Sequence, residues 1–163
     1  MKKFVFSVLL LATLSCNTFS QQKTIRLLVR GDDMGYSRAG NVALIDCYKN
    51  GIERSIEVIV PSPWFPEAVK MLADNPTVDV GIHLAITSEW DNVKWRPLTD
   101  CASLRDADGY FYPMINPNKN YPGRAIKENN WQLKDVEKEL QENIARTNNE
   151  KINFFICLRY YNV

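Results

Sequence analysis

The chain has 163 residues, 45% of them apolar and 24% charged, a balance ordinary for one soluble globular domain. Its formal net charge is +1, and Lys and Arg are interspersed with Asp and Glu, which excludes the gathered basic excess of a nucleic-acid binder. The four cysteines, Cys16, Cys47, Cys101 and Cys157, contain no C-x-x-C pair, so zinc-finger spacing is absent.

At the N-terminus, Lys2 and Lys3 precede an uncharged, largely apolar run from Phe4 to Leu14. A membrane-spanning helix needs roughly 20 such residues, so this run reads as an export signal occupying residues 1–20. Thr18-Phe19-Ser20 suits cleavage before Gln21. Cys16 offers a second route, lipidation with attachment to a membrane. Either route leaves residues 21–163 as the folded domain, periplasmic or secreted.

Residues 24–30 are rich in strand formers and form a nearly continuous apolar run, the pattern of a buried parallel strand. Gly31-Asp32-Asp33-Met34-Gly35 breaks it. Ser37 is a helix N-cap, and Asn50-Gly51 closes the helix that follows. Ser55 to Val60 is a second strand. Pro66 opens a second helix running to Ala73, and Val78 to Leu84 is a third strand. Strand, helix and strand in alternation predict a βαβ arrangement with a parallel sheet or barrel. Residues 85–130 carry Trp90, Trp95, Tyr110, Phe111, Tyr112 and Tyr121 among prolines and asparagines, and a connection that long is usually functional. Trp131 to Thr147 is an amphipathic helix with Leu133, Val136, Leu140 and Ile144 on one face. Ile152 to Leu158 is a fourth strand. Cys47 and Cys157 read as small buried apolar residues, and no disulfide is assigned.

In parallel βα folds, chemistry gathers at the carboxyl ends of the strands. Asp32 and Asp33 follow the first strand, and His83, the one histidine, ends the third. Adjacent carboxylates repel unless a cation or a proton sits between them. One of them can hold a metal while the other accepts a proton from water, and a neutral imidazole is a natural further ligand. Each feature also has a structural explanation. An Asp-Asp pair after a strand serves as a turn or a helix cap, and a lone histidine in an apolar strand is often a satisfied core residue.

Two motifs go further. Arg30-Gly31-Asp32-Asp33-Met34-Gly35 resembles the R-x-D-D-[FM]-G signature of the YdjC-like carbohydrate deacetylases. Asp79-Val80-Gly81-Ile82-His83-Leu84 resembles that family's D-[VI]-G-[IL]-H-L signature. The segments 41–45, 51–52 and 66–69 fit in order and spacing, so the resemblance covers roughly residues 24–147. It implies a distorted (β/α) barrel, of which this chain carries the N-terminal half. It also implies removal of N-acetyl groups from sugars with a divalent cation, magnesium or zinc, held by one Asp and two His. Carried over, Asp33 and His83 are metal ligands and Asp32 is the general base. The family's next strand ends in a motif of the type S-H-x-x-x-H, whereas residues 153–163 contain no histidine.

The resemblance therefore points to a metal-dependent hydrolase acting on an acetylated oligosaccharide. Trp90 and Trp95 are candidates for stacking on sugar faces. Without the second histidine the chain is expected to bind metal weakly and to be incomplete or inactive. The alternatives are a non-catalytic carbohydrate-binding module and a non-functional remnant.

Overall fold

The computed structural model describes residues 27–150 and the backbone of residues 154–157. The expected signal segment and Cys16 lie outside the described residues. Four strands, β1 (Arg30–Met34), β2 (Ser55–Ile59), β3 (Asp79–His83) and β4 (Phe154–Cys157), form one sheet in the order β1-β2-β3-β4. Every neighbouring pair is parallel. Helix α1 (Arg38–Asn50) joins β1 to β2, α2 (Phe65–Ala73) joins β2 to β3, and α3 (Leu133–Asn148) precedes β4. Among the described residues no helix is long and apolar enough to cross a membrane.

The local chemistry explains these boundaries. Ser37 caps α1 by accepting from the Gly40 backbone N–H at 3.0 Å, which satisfies one of the donors a helix leaves open at its start. Pro66 sits in the first turn of α2, where its missing N–H costs nothing. One expectation shifts: β1 is not the apolar run of residues 24–30 but begins at Arg30 and contains both aspartates. Leu27 and Leu28 are exposed, and residues 24–26 lie outside the described part.

Alternation along the strands divides the sheet into two faces. Ile56, Val58, Val80 and Ile82 point to one face and form a core with Ile45 of α1 and Phe65, Ala68 and Leu72 of α2. Both connecting helices thus cover the same side. Ile59, with the opposite parity in β2, belongs to a second core, where it meets Ala85, Trp95, Leu104, Phe111 and Ile126 of the long connection. That connection is a packed layer, held by backbone bonds such as Phe111 to Trp95 and Ser88 to Tyr112.

Helix α3 departs from its amphipathic reading. Its fully buried line is polar, formed by Glu139, Asn143 and Thr147, while Leu133 is exposed. The reason lies in the long connection, whose backbone donors need acceptors once buried. The Glu139 carboxylate accepts from the N–H groups of Leu98 at 2.8 Å and Thr99 at 3.0 Å and from the Thr99 hydroxyl at 2.7 Å. Asp135 accepts from the backbone and hydroxyl of Ser103 in the same way. Cys47 also differs from expectation, being exposed, whereas Cys101 is buried. The side chain of Cys157 lies outside the described residues.

Glu139→Ala should strip these acceptors and destabilise the domain by on the order of 3 kcal/mol. The expected readout is a lower urea midpoint with an unchanged slope, and a midpoint equal to wild type would show that α3 does not anchor the connection.

Candidate metal centre

The carboxyl ends of β1 and β3, on either side of β2, supply the chemistry. Strict alternation would send Asp32 and Asp33 to opposite faces of the sheet. The register of β1 against β2 shifts between Gly31 and Met34, however, and Asp33 takes a φ of 61°. Left-handed backbone at a non-glycine residue is costly, and Asp is among the few that adopt it. The bulge turns both aspartates to the same point.

That point is the imidazole of His83, the last residue of β3. Its Nδ1 lies 3.0 Å from Oδ1 of Asp32 and 3.0 Å from Oδ1 of Asp33. Nδ1 is buried at these distances without a well-formed hydrogen bond. Burial alone would lower the imidazole pKa. The two neighbouring carboxylates more than offset it and push the value up to about 10.

The surroundings fix this geometry. Asp32 Oδ1 also accepts from the Asp33 backbone N–H at 3.1 Å. The turn beyond is clamped by the buried side chain of Asn41, which accepts from the Gly35 N–H at 2.7 Å and donates to the Trp64 carbonyl and the Glu67 carboxylate. Gly35 has a φ of 106°, and a Cβ there would lie 2.3 Å from Ser62 Oγ, so both backbone and space require glycine. Asn41 falls in a segment that the sequence marks only as part of a helix, so its clamping role is a finding of the structure.

The three residues that the sequence singled out for chemistry, Asp32, Asp33 and His83, are therefore brought together. A fourth residue, Glu57 on β2, stands beside them and is absent from the sequence-based set. Its signal was present, since it is one acid inside an otherwise apolar stretch, Ile56-Glu57-Val58-Ile59. Glu57 is 1% exposed and ion-paired with Arg30. The donor atoms of Asp32, Glu57 and His83 lie within 4.8 Å of one another. The two expected tryptophans diverge. Trp95 is 4% exposed and packs in the second core, which leaves it little face to offer a ligand. Trp90 is partly exposed, 4.9 Å from the Tyr36 ring and 5.5 Å edge-on to Trp95.

The residues fit a divalent cation. Adjacent donors around an octahedral ion at about 2.1 Å are about 3.0 Å apart, which is the spacing of Nδ1 from each carboxylate oxygen. A buried imidazole nitrogen with no aligned partner, beside like charges, is a donor set suited to a positive ion.

The sequence profile of the YdjC-like proteins matches residues 26–152. The chain belongs to the YdjC-like family. A relative named carbohydrate deacetylase 2 from Listeria innocua is 34% identical over 64% of the chain, and a carbohydrate deacetylase from Geobacillus stearothermophilus is 29% identical over 73%. The matched segments span 38% and 42% of those two relatives. A solved structure from Enterococcus faecalis, of a protein named for cellobiose-phosphate cleavage, superposes on 80% of this chain and 47% of its own length. Its TM-score is 0.59 at 21% identity, a likeness of fold.

The raised His83 value has a consequence for this family member. A folded pKa of about 10 against an ordinary 6.5 means that protonation favours the fold. The stabilisation is complete below about pH 6.5 and is lost as pH rises through about 10. In the presence of a chelator, the urea midpoint should fall across that window, and His83→Gln should flatten the fall. An equally steep fall in the variant would place its origin elsewhere.

Proposed function

We propose that this chain carries part of the active site of a metal-dependent carbohydrate deacetylase acting on N-acetylated oligosaccharides. The observation that carries the reading is the convergence of Asp32, Asp33 and His83 at 3.0 Å spacing on two strand ends, in a chain whose relatives are named carbohydrate deacetylases. We further propose that the sheet is an arc of a (β/α) barrel. The sequential order β1-β2-β3-β4 and the placing of α1 and α2 on one face support this, because a doubly wound sheet reverses strand order and takes helices on both faces.

In this reading Asp33 and His83 hold a divalent cation, magnesium or zinc. When bound, the cation supplies Lewis acidity toward water and the acetamide carbonyl. Asp32 accepts a proton from the attacking water, and the proton can then pass to the departing amine. The Asp32 carboxylate is held for that task by the Asp33 N–H at Oδ1. Trp90 offers the sugar an aromatic face, backed by the buried Trp95. A nearby surface cleft of about 510 Å³ presents Trp64, Tyr110, Asp91, Asn92 and Lys94. Aromatic rings with flanking hydrogen-bonding side chains are the chemistry that sugar faces and hydroxyls require.

The test is acetate release from N-acetylated chito-oligosaccharides, by this chain and by a version extended to the length of its relatives. Release should depend on added divalent metal. Asp32→Asn should lower turnover by about 10²-fold or more while leaving metal binding in place. Release that survives both a chelator and Asp32→Asn would contradict the assignment, as would the absence of release from the extended version.

A further inference from the structure

Glu57 has no part in the reading just given, yet its placement demands an explanation. It sits on β2, the strand between the two that carry Asp32 and His83. In the β-sheet alternation it shares a face with Ser55, and Arg30 across the register reaches both, bonding Ser55 Oγ at 3.2 Å and pairing with Glu57 Oε1. Its carboxylate is 1% exposed, and a charge so buried is costly unless matched. Counting the site by charge, Asp32, Asp33 and Glu57 contribute three carboxylates around one imidazole, and Arg30 supplies one fixed positive charge. A divalent ion restores the balance with the imidazole neutral.

We propose that Glu57 is a direct ligand of the divalent cation, so that three consecutive strands of this chain each contribute a ligand, Asp33 from β1, Glu57 from β2 and His83 from β3, with Asp32 left as the base beside them. The proposal rests on the metal-dependent reading above. Donor atoms of Glu57, His83 and the base Asp32 lie within 4.8 Å of one another, and Asp33 Oδ1 lies 3.0 Å from His83 Nδ1. Two donors at about 2.1 Å from one ion stand at most about 4.2 Å apart, so closure by a few tenths of an ångström completes the set. Arg30 does not compete for this role. It engages Oε1, and a carboxylate has two oxygens and about four lone-pair sites. A guanidinium on one oxygen orients the other, as outer partners do for ligating carboxylates. Three protein ligands with a further position open is the arrangement of catalytic zinc sites. This chain then reaches that count without a histidine from β4.

The test is calorimetric titration of the purified chain with zinc, for wild type, Glu57→Gln and His83→Ala, with thermal melts to confirm folding. Both substitutions should weaken zinc binding by about tenfold or more. Anomalous diffraction from zinc-loaded wild-type crystals needs no substitution, and should place the ion within about 2.2 Å of a Glu57 oxygen. An ion more than about 3 Å from both Glu57 oxygens overturns the proposal, and so does undiminished binding by folded Glu57→Gln. If His83→Ala weakens binding while Glu57→Gln does not, the metal reading stands and the Glu57 assignment falls. If wild type binds no zinc, cobalt or magnesium, both fall.

Discussion

The imidazole of His83 stands 3.0 Å from an oxygen of each of two adjacent aspartates, and like charges brought that close need a positive charge between them. Much of the local structure serves this contact. The bulge in β1 and the left-handed Asp33 turn both carboxylates inward. Asn41 and Gly35 hold the turn that follows, and β3 ends on the histidine itself. Without metal the proton on His83 supplies the positive charge, which is why its pKa rises to about 10 despite burial. In the proposed reading a divalent cation would take the place of that proton, held by Asp33 and His83 with Asp32 beside it. Proton and cation would then compete for one position, as they do wherever a metal ligand must be deprotonated to bind.

The fold around this contact separates two tasks. One face of the sheet packs on α1 and α2 through Ile56, Val58, Val80 and Ile82, which makes the strands rigid. Side chains of the other parity carry Arg30, Asp32, Glu57 and His83, and at Ile59 that face meets the long connection. The connection is packed rather than loose because Glu139 and Asp135 of α3 accept its buried backbone donors. Residues on strand ends, beside a layer tied to the scaffold, keep their geometry better than residues on free loops.

The alternation of apolar strands and capped helices was legible in the sequence because hydrophobic periodicity and punctuation are local signals. Asp32, Asp33 and His83 could be singled out because polar residues at the ends of apolar strands stand out. Their common focus could not be read, since it depends on Asp33 breaking the period-2 rule, and a φ of 61° leaves no mark in residue type. The bounds of β1 are not legible for a related reason, because aspartates inside a strand read as a turn. In α3, periodicity picked out Leu133, Val136, Leu140 and Ile144, but long-range demand for acceptors buried Glu139 and Asn143 instead. Trp90 and Trp95 look alike in sequence, and only packing tells the partly exposed ring from the buried one.

The central claim is that the ends of β1 and β3 are energetically one site. A double-mutant cycle between Asp32→Asn and His83→Gln tests it most directly, with unfolding free energies measured in urea at neutral pH in the presence of a chelator. The account predicts non-additivity of about 1 kcal/mol or more, as expected for residues in direct contact, because each substitution removes the partner that gives the other its effect. Additivity within about 0.3 kcal/mol would contradict it, and would mean that the aspartate pair and the histidine occupy the same end of the sheet without forming a site.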